Sequence, residues 1–150
     1  MGIEIRLRKA ILEDSWFLFD LRNDEAVRRN SFSIDPITYE NHCVWLRHKL
    51  EDPNCGLWIA QYDNSSIGQI RIDKKDGWGE ISYSLCAQAR GRNFGKQMIT
   101  QLEQVERNVG DLKGLLACVK KDNEISRHIF GSLGYDEQEQ DEHYVYRKRI

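Results

Sequence analysis

The chain has 150 residues, a formal net charge of −2 at neutral pH, 40% apolar residues and 31% charged ones. That is the profile of one ordinary globular domain spanning residues 1–150, and it excludes a disordered chain or a membrane-resident one. The charge is mixed along the sequence and not gathered into a basic face, which argues against a general nucleic-acid binder. The opening "MGIEIRLRKA" has no apolar signal segment, and Arg6 stands where an N-myristoylation signal needs Ser or Thr. A cytoplasmic protein is expected. Cys43, Cys55, Cys86 and Cys118 are widely spaced with no C-x-x-C pair, so we expect buried, reduced thiols and no metal site.

In chain order, Ile3, Ile5 and Leu7 alternate with charges and predict a half-buried strand. An amphipathic helix is expected over 12–24, with Leu12, Trp16, Phe19 and Leu21 toward the core, then an irregular stretch over 25–35. Pro36 suits a helix start, and Tyr39, Cys43, Leu46 and Leu50 recur at helical spacing. Three strands follow over 56–63, 66–75 and 79–86, joined by "DNSS" and "KKDGWG" into a meander. The third runs into "ARGRNFGKQ" and a helix from about Gly91 to Asn108, with Met98, Leu102 and Val105 on one face. A strand over 115–121, a helix over 123–134 closed by Gly134, and two strands over 135–140 and 143–149 complete the chain. The fold class is α/β: a mixed, mostly antiparallel sheet of about seven strands with about four helices.

The break at "ARGRNFGKQ" is the most informative stretch. A strand, a glycine-containing elbow and a helix N-terminus in succession leave backbone N–H groups pointing outward at the positive end of the helix dipole, a place for an anion.

Arg90-Gly91-Arg92-Asn93-Phe94-Gly95 resembles the Arg/Gln-x-x-Gly-x-Gly/Ala pattern of the GNAT superfamily of acyl-CoA-dependent N-acetyltransferases, with Asn93 in place of the usual glycine. Asparagine accepts left-handed backbone angles more readily than most residues. A second segment, "VKKDNEISRHIFGSLGY", is similar to the family's later motif through Asn123, Ser126 and Leu133-Gly134-Tyr135. The resemblance covers essentially the whole chain. It implies acetyl-CoA as co-substrate, its pyrophosphate held by backbone N–H groups from Arg92 to Lys96 and its pantetheine arm along Leu85, Cys86 and Ala87. The cofactor-binding set is thus Leu85, Cys86, Ala87, Arg90, Gly91, Arg92, Asn93, Phe94, Gly95, Lys96 and Asn123.

An amine must lose a proton before it attacks, since even an α-amino group has a pKa of about 8. The resemblance nominates Glu80 as general base. Where many members carry a thiolate-protonating tyrosine this chain has Phe130, so Ser126, one helical turn earlier, is the candidate to hydrogen-bond the leaving sulfur, against the alternative that it is only the small residue the motif needs.

"LRNDEAVRRNSFSIDPITYENHCVWLRHKL" further resembles the nucleotide-sugar N-acetyltransferases of pseudaminic-acid-type biosynthesis. The acceptor expected on that ground is a UDP-linked 4-amino-4,6-dideoxy sugar, met by Arg22, Asn23, Arg29, Phe32, His42 and Tyr83, with Trp45 a further aromatic or a core residue. The competing readings are a ribosomal-protein-type N-terminal acetyltransferase and a non-catalytic acyl-CoA-binding module. The expected partner is a small-molecule amine, with no nucleic acid and no membrane. The oligomeric state is open, a homodimer included.

Overall fold

The structure is a computed structural model that describes residues 4–150; Ile3 of the first predicted strand lies outside them. Seven strands form one sheet in the order β1-β2-β3-β4-β5-β7-β6. They are β1 (Arg6–Lys9), β2 (Cys55–Tyr62), β3 (Ser65–Lys75), β4 (Trp78–Leu85), β5 (Gly114–Lys120), β6 (Asp136–Glu139) and β7 (His143–Arg149). All neighbours are antiparallel except β4 and β5. The two meander turns are built on left-handed pairs, Asp63 and Asn64 in one and Asp76 and Gly77 in the other, residue types that tolerate positive φ.

Five α-helices cover the sheet: α1 (Ser15–Asn23), α2 (Glu25–Asn30), α3 (Tyr39–Glu51), α4 (Phe94–Val109) and α5 (Glu124–Ser132). On one face, Met98, Ile99 and Leu102 of α4 and Phe130 of α5 pack on Ile70, Ile72, Ile81 and Leu115. Leu102 is fully buried, and truncating such a side chain to Ala costs about 2–5 kcal/mol. On the other face Leu18 of α1 and Leu46 of α3 pack on Leu57 and Ile59 of β2. Alternation along the strands therefore assigns odd-numbered residues of β4 to the α4/α5 side and even-numbered ones to the α1/α3 side.

Several expectations are corrected. The first predicted helix begins as a 3-10 turn over Leu12–Asp14. Leu12, in that turn, is 50% exposed, and Trp16, about 140° around α1 from Leu21, is 59% exposed; Leu18 is buried in their stead and Leu21 is buried as expected. The stretch after it is not wholly irregular: Asp24 breaks α1 with extended ψ, then accepts from Val27 N–H to cap the short helix α2. Helix α3 starts past Pro36, at Tyr39, where Thr38 accepts from Asn41 N–H. Helix α4 starts at Phe94 because Gly91 and Asn93 both hold positive φ and cannot be helical. The four cysteines are free as expected, but half-buried, not fully buried. Gly134, at φ +86°, ends α5 as expected of a left-handed closing residue.

Candidate active site

The site grows out of one irregularity in the sheet. Strands β4 and β5 pair only through Trp78–Gly114, Gly79–Leu115 and Glu80–Leu116, and then separate. β4 continues to pair with β3 as far as Leu85, and β5 with β7 as far as Lys120. Between them a V-shaped gap opens with Glu80 at its base. A cleft of about 870 Å³ runs through this gap and is lined from both sides of the sheet.

On the α4/α5 side the lining includes Tyr83, Gly95, Ser126 and Phe130. Tyr83 Oη and Ser126 Oγ are 2.6 Å apart. Asn123 caps α5 by accepting from Ser126 N–H at 3.2 Å, so the motif asparagine aims the serine. Phe130 is buried among Tyr83, Tyr135 and Tyr146, an aromatic packing role with no proton to give. Gly95 is buried in the first turn of α4, and a Cβ there would stand 3.1 Å from Tyr83 Cε2 and 3.2 Å from Ile129 Cδ1.

The elbow itself leaves an unusual run of donors. Among the described residues, no hydrogen-bond partner is found for the backbone N–H groups of residues 91–96, while Asn93 C=O accepts from Gln97 N–H to begin the helix. Asn93 holds φ +66°, so the departure from the glycine pattern retains the left-handed elbow. Six free donors at the positive end of a 16-residue helix suit a pyrophosphate. The residues present therefore fit the cofactor that the sequence implies.

The α1/α3 side is polar and cationic. Gln69, Arg71, Glu80, Ser82, Ser84 and Cys118 line it from the sheet; Arg22, His42 and Trp45 line it from the helices. Gln69 donates to Ser84 Oγ at 3.0 Å. The guanidinium carbons of Arg22 and Arg71 stand 5.0 and 5.3 Å from the Trp45 ring. Burial lowers the Arg22 pKa, and the neighbouring Arg71 charge lowers it further. Arg71 is answered by Asp73 at 2.8 Å, whereas buried Arg22 Nη1 has no partner among the described residues. His42 is 1% exposed, and among the described residues neither ring nitrogen finds a hydrogen-bond partner. Burial and then the Arg22 charge hold its pKa below the usual 6.5, so the imidazole is neutral at pH 7.

The expected residues thus divide. Glu80, Ser126, Leu85, Arg90, Gly91, Asn93, Phe94, Gly95, Asn123, Arg22, Phe32, His42 and Tyr83 all line the cleft. Tyr83, however, sits against Gly95 and Ser126, across the sheet from the Arg22 cluster with which it was grouped. Cys86, Ala87, Arg92 and Lys96 do not line the cleft; Arg92 lies over Tyr62 and Phe94, 5.0 and 4.9 Å from their ring centres. Asn23 is a stitch, exchanging hydrogen bonds with the backbone of Ile37. Arg29 is exposed and pairs with Glu25 at 3.4 Å, outside the cleft. Sequence reasoning missed Arg71 and Ser82. The signal was present, since even-numbered positions of β4 share a face with Glu80, but it needs the β3–β4 register to bring Arg71 opposite Ser82.

Arg90 also departs from expectation. Its guanidinium donates to Asp24 at 2.7 Å and to Leu85 C=O at 3.0 Å, tying the α1–α2 junction to the end of β4. Burial raises the Asp24 pKa, but the Arg90 bond and the capped N–H of Val27 outweigh it and the net shift is downward from 3.8. A depressed carboxyl contributes stability above its unfolded pKa and loses it as pH falls through the folded value. Asp24→Asn should therefore melt below the wild type at pH 7, and the difference should close as pH falls below 3.8. Parallel thermal melts across pH 2–7 check this.

The GNAT acetyltransferase domain matches residues 4–136 of the chain. The chain belongs to the GNAT acetyltransferase family. It is an acetyl-CoA-dependent N-acetyltransferase. No curated protein matches the sequence of this acetyltransferase. Its fold is similar to that of several solved structures. One is a ribosomal alpha-N-protein acetyltransferase in complex with coenzyme A, at 15% identity, TM-score 0.86, and coverage of 99% of this chain and 96% of that one. Another is spermidine N-acetyltransferase from Vibrio cholerae in complex with CoA and spermine, at 15% identity, TM-score 0.85, and coverage of 98% and 95%. A third is a microcin self-immunity acetyltransferase in complex with acetyl-CoA and AMP, at 17% identity, TM-score 0.83, and coverage of 99% and 94%. At these identities the likeness extends to the fold, which this GNAT acetyltransferase shares over nearly its whole length. No helix among its described residues is long and apolar enough to cross a membrane.

Proposed function

We propose that the enzyme acetylates the primary amine of a nucleotide-linked amino sugar, a UDP-linked 4-amino-4,6-dideoxy sugar, as a single cytoplasmic domain of residues 1–150. The observation that carries the reading is the cationic, aromatic pocket on the Glu80 side of the cleft. Arg22 and Arg71 flank Trp45, and buried polar atoms of Arg22 and His42 lack partners. A phosphate oxygen satisfies a guanidinium through charge-assisted hydrogen bonds, and a flat base stacks on an indole. A polycationic acceptor would meet two arginines in the same place.

Acetyl-CoA supplies the acetyl group as a thioester. The N–H groups of residues 91–96 hold its pyrophosphate, and the gap between β4 and β5 admits the acetyl end. Glu80, at the base of the gap on the acceptor side, takes the proton that the amine must lose, directly or through water. The amine nitrogen bonds to the carbonyl carbon as the carbon–sulfur bond breaks, and CoA leaves as the thiolate. Ser126, on the opposite side, meets the departing sulfur.

Arg22→Gln should lower kcat/KM for the UDP-linked amino sugar by about 10- to 100-fold, the worth of a charge-assisted contact, and leave the free amino sugar nearly unchanged. The comparison with peptides beginning with Ala or Ser decides the class. If the wild type prefers the peptides, the sugar reading fails and a ribosomal-type N-terminal acceptor replaces it.

A further inference from the structure

Tyr83 is grouped with the acceptor residues on sequence grounds, yet the only side-chain hydrogen bond it makes among the described residues is with Ser126 Oγ, at 2.6 Å. It stands on β4 three residues past the last β4–β5 pair, inside the gap. Its ring is held by the close approach of Gly95 and by an edge contact with Phe130, the side chain that occupies the motif's tyrosine position. Ser126 is 8% exposed, and its position is fixed by the Asn123 cap.

We propose that Tyr83 is a positioning residue for the leaving group: its hydroxyl donates to Ser126 Oγ, which leaves the serine's own proton free to hydrogen-bond the departing sulfur. A phenol is a stronger donor than an aliphatic alcohol, and a serine oxygen has two lone pairs with which to accept. Burial raises the Tyr83 pKa above its usual 10, against the lowering effect of the Ser126 bond, so the phenol remains a donor at working pH. No proton need be transferred along this pair. The sulfur leaves as a thiolate stabilised by one O–H donor, and it is protonated by water after release. The two hydroxyls therefore stand in for the absent tyrosine hydroxyl at Phe130. The inference rests on the cleft being the site of the thioester and not on the identity of the acceptor.

The test is a titration as well as a rate. Bound CoA is titrated by the ultraviolet absorbance of its thiolate in the wild type, Tyr83→Phe, Ser126→Ala and the double variant, with folding checked by circular dichroism. A donor to the thiolate lowers the thiol pKa, so Tyr83→Phe should raise it by about one unit, the size of one hydrogen bond. Turnover should fall about tenfold with KM for acetyl-CoA unchanged. The double variant should be no worse than Ser126→Ala alone, because Tyr83 acts only through the serine. An unmoved thiol titration in folded Tyr83→Phe, or additive losses in the double variant, would overturn the inference. Failure of the wild type to bind CoA would overturn it together with the cleft assignment beneath it.

Discussion

Glu80→Gln should lower kcat for acetyl transfer by roughly 10²- to 10⁴-fold, the usual contribution of a general base, while acetyl-CoA affinity stays within about twofold of the wild type. The separation of the two effects follows from position. Glu80 is the last β4 residue to pair with β5, on the α1/α3 side, whereas the free amides of residues 91–96 stand at the start of α4 on the other side. Removing one charge at the base of the gap leaves the elbow untouched. The residual rate should climb with pH, because raising pH deprotonates the amine without help. Glu80 is solvent-exposed, so water can reach it and carry the proton away between turnovers. Stopped-flow turnover and calorimetric CoA binding on the same preparation make the comparison, and wild-type turnover in the variant at neutral pH would remove Glu80 from the mechanism.

Gly95→Val should abolish measurable CoA binding, a loss of at least about 100-fold, while the protein stays folded. A bulky side chain at this turn of α4 obstructs the approach of a ligand to the backbone. The structure adds a second reason. The first carbon alone would sit 3.1 Å from the Tyr83 ring and 3.2 Å from Ile129, and the branched methyls extend beyond it. Tyr83 must then move, and with it the wall of the gap. Gly95→Ala, which needs neighbours to give by only a few tenths of an ångström, should show an intermediate loss. Isothermal calorimetry with CoA, beside far-ultraviolet circular dichroism, gives both readings. An unchanged affinity in folded Gly95→Val would refute the assignment of the elbow.

The strands and the two helices of the cofactor half could be read closely from the sequence, and the reason is local. Their signals are contained in short windows: alternation in β2 to β4, left-handed turn residues at Asp63-Asn64 and Asp76-Gly77, and a sharp apolar stripe in α4. The first forty residues were harder. Leu12 and Trp16 are a helical turn apart, but Leu12 falls in a 3-10 turn that no local signal distinguishes from α-helix, and Trp16 lies about 140° around α1 from Leu21. Asp24 carries two roles, capping α2 and pairing with Arg90 across 66 residues of sequence. Such a contact depends on how α1 and α2 settle against β4. The acceptor side suffered most, because a cluster such as Arg22, Arg71 and Trp45 is assembled from three elements and has no spacing of its own. Arg29 shows the converse. The resemblance of its segment places it among the acceptor residues, and it is a surface residue paired with its own helix neighbour.

The parting of β4 from β5 has a consequence for traffic. Here the two rows of lining residues lie on opposite sides of one sheet, joined only through the gap above Glu80. On the proposed reading the acetyl donor would enter beside α4 and the amine beside α1 and α3. Each product would then leave on the side from which its parent came, without clearing the path for the other. A single molecule that joined the two substrates end to end would thread the sheet like a bolt through a plate. It would hold both sides at once, with the second attachment made intramolecular by the first.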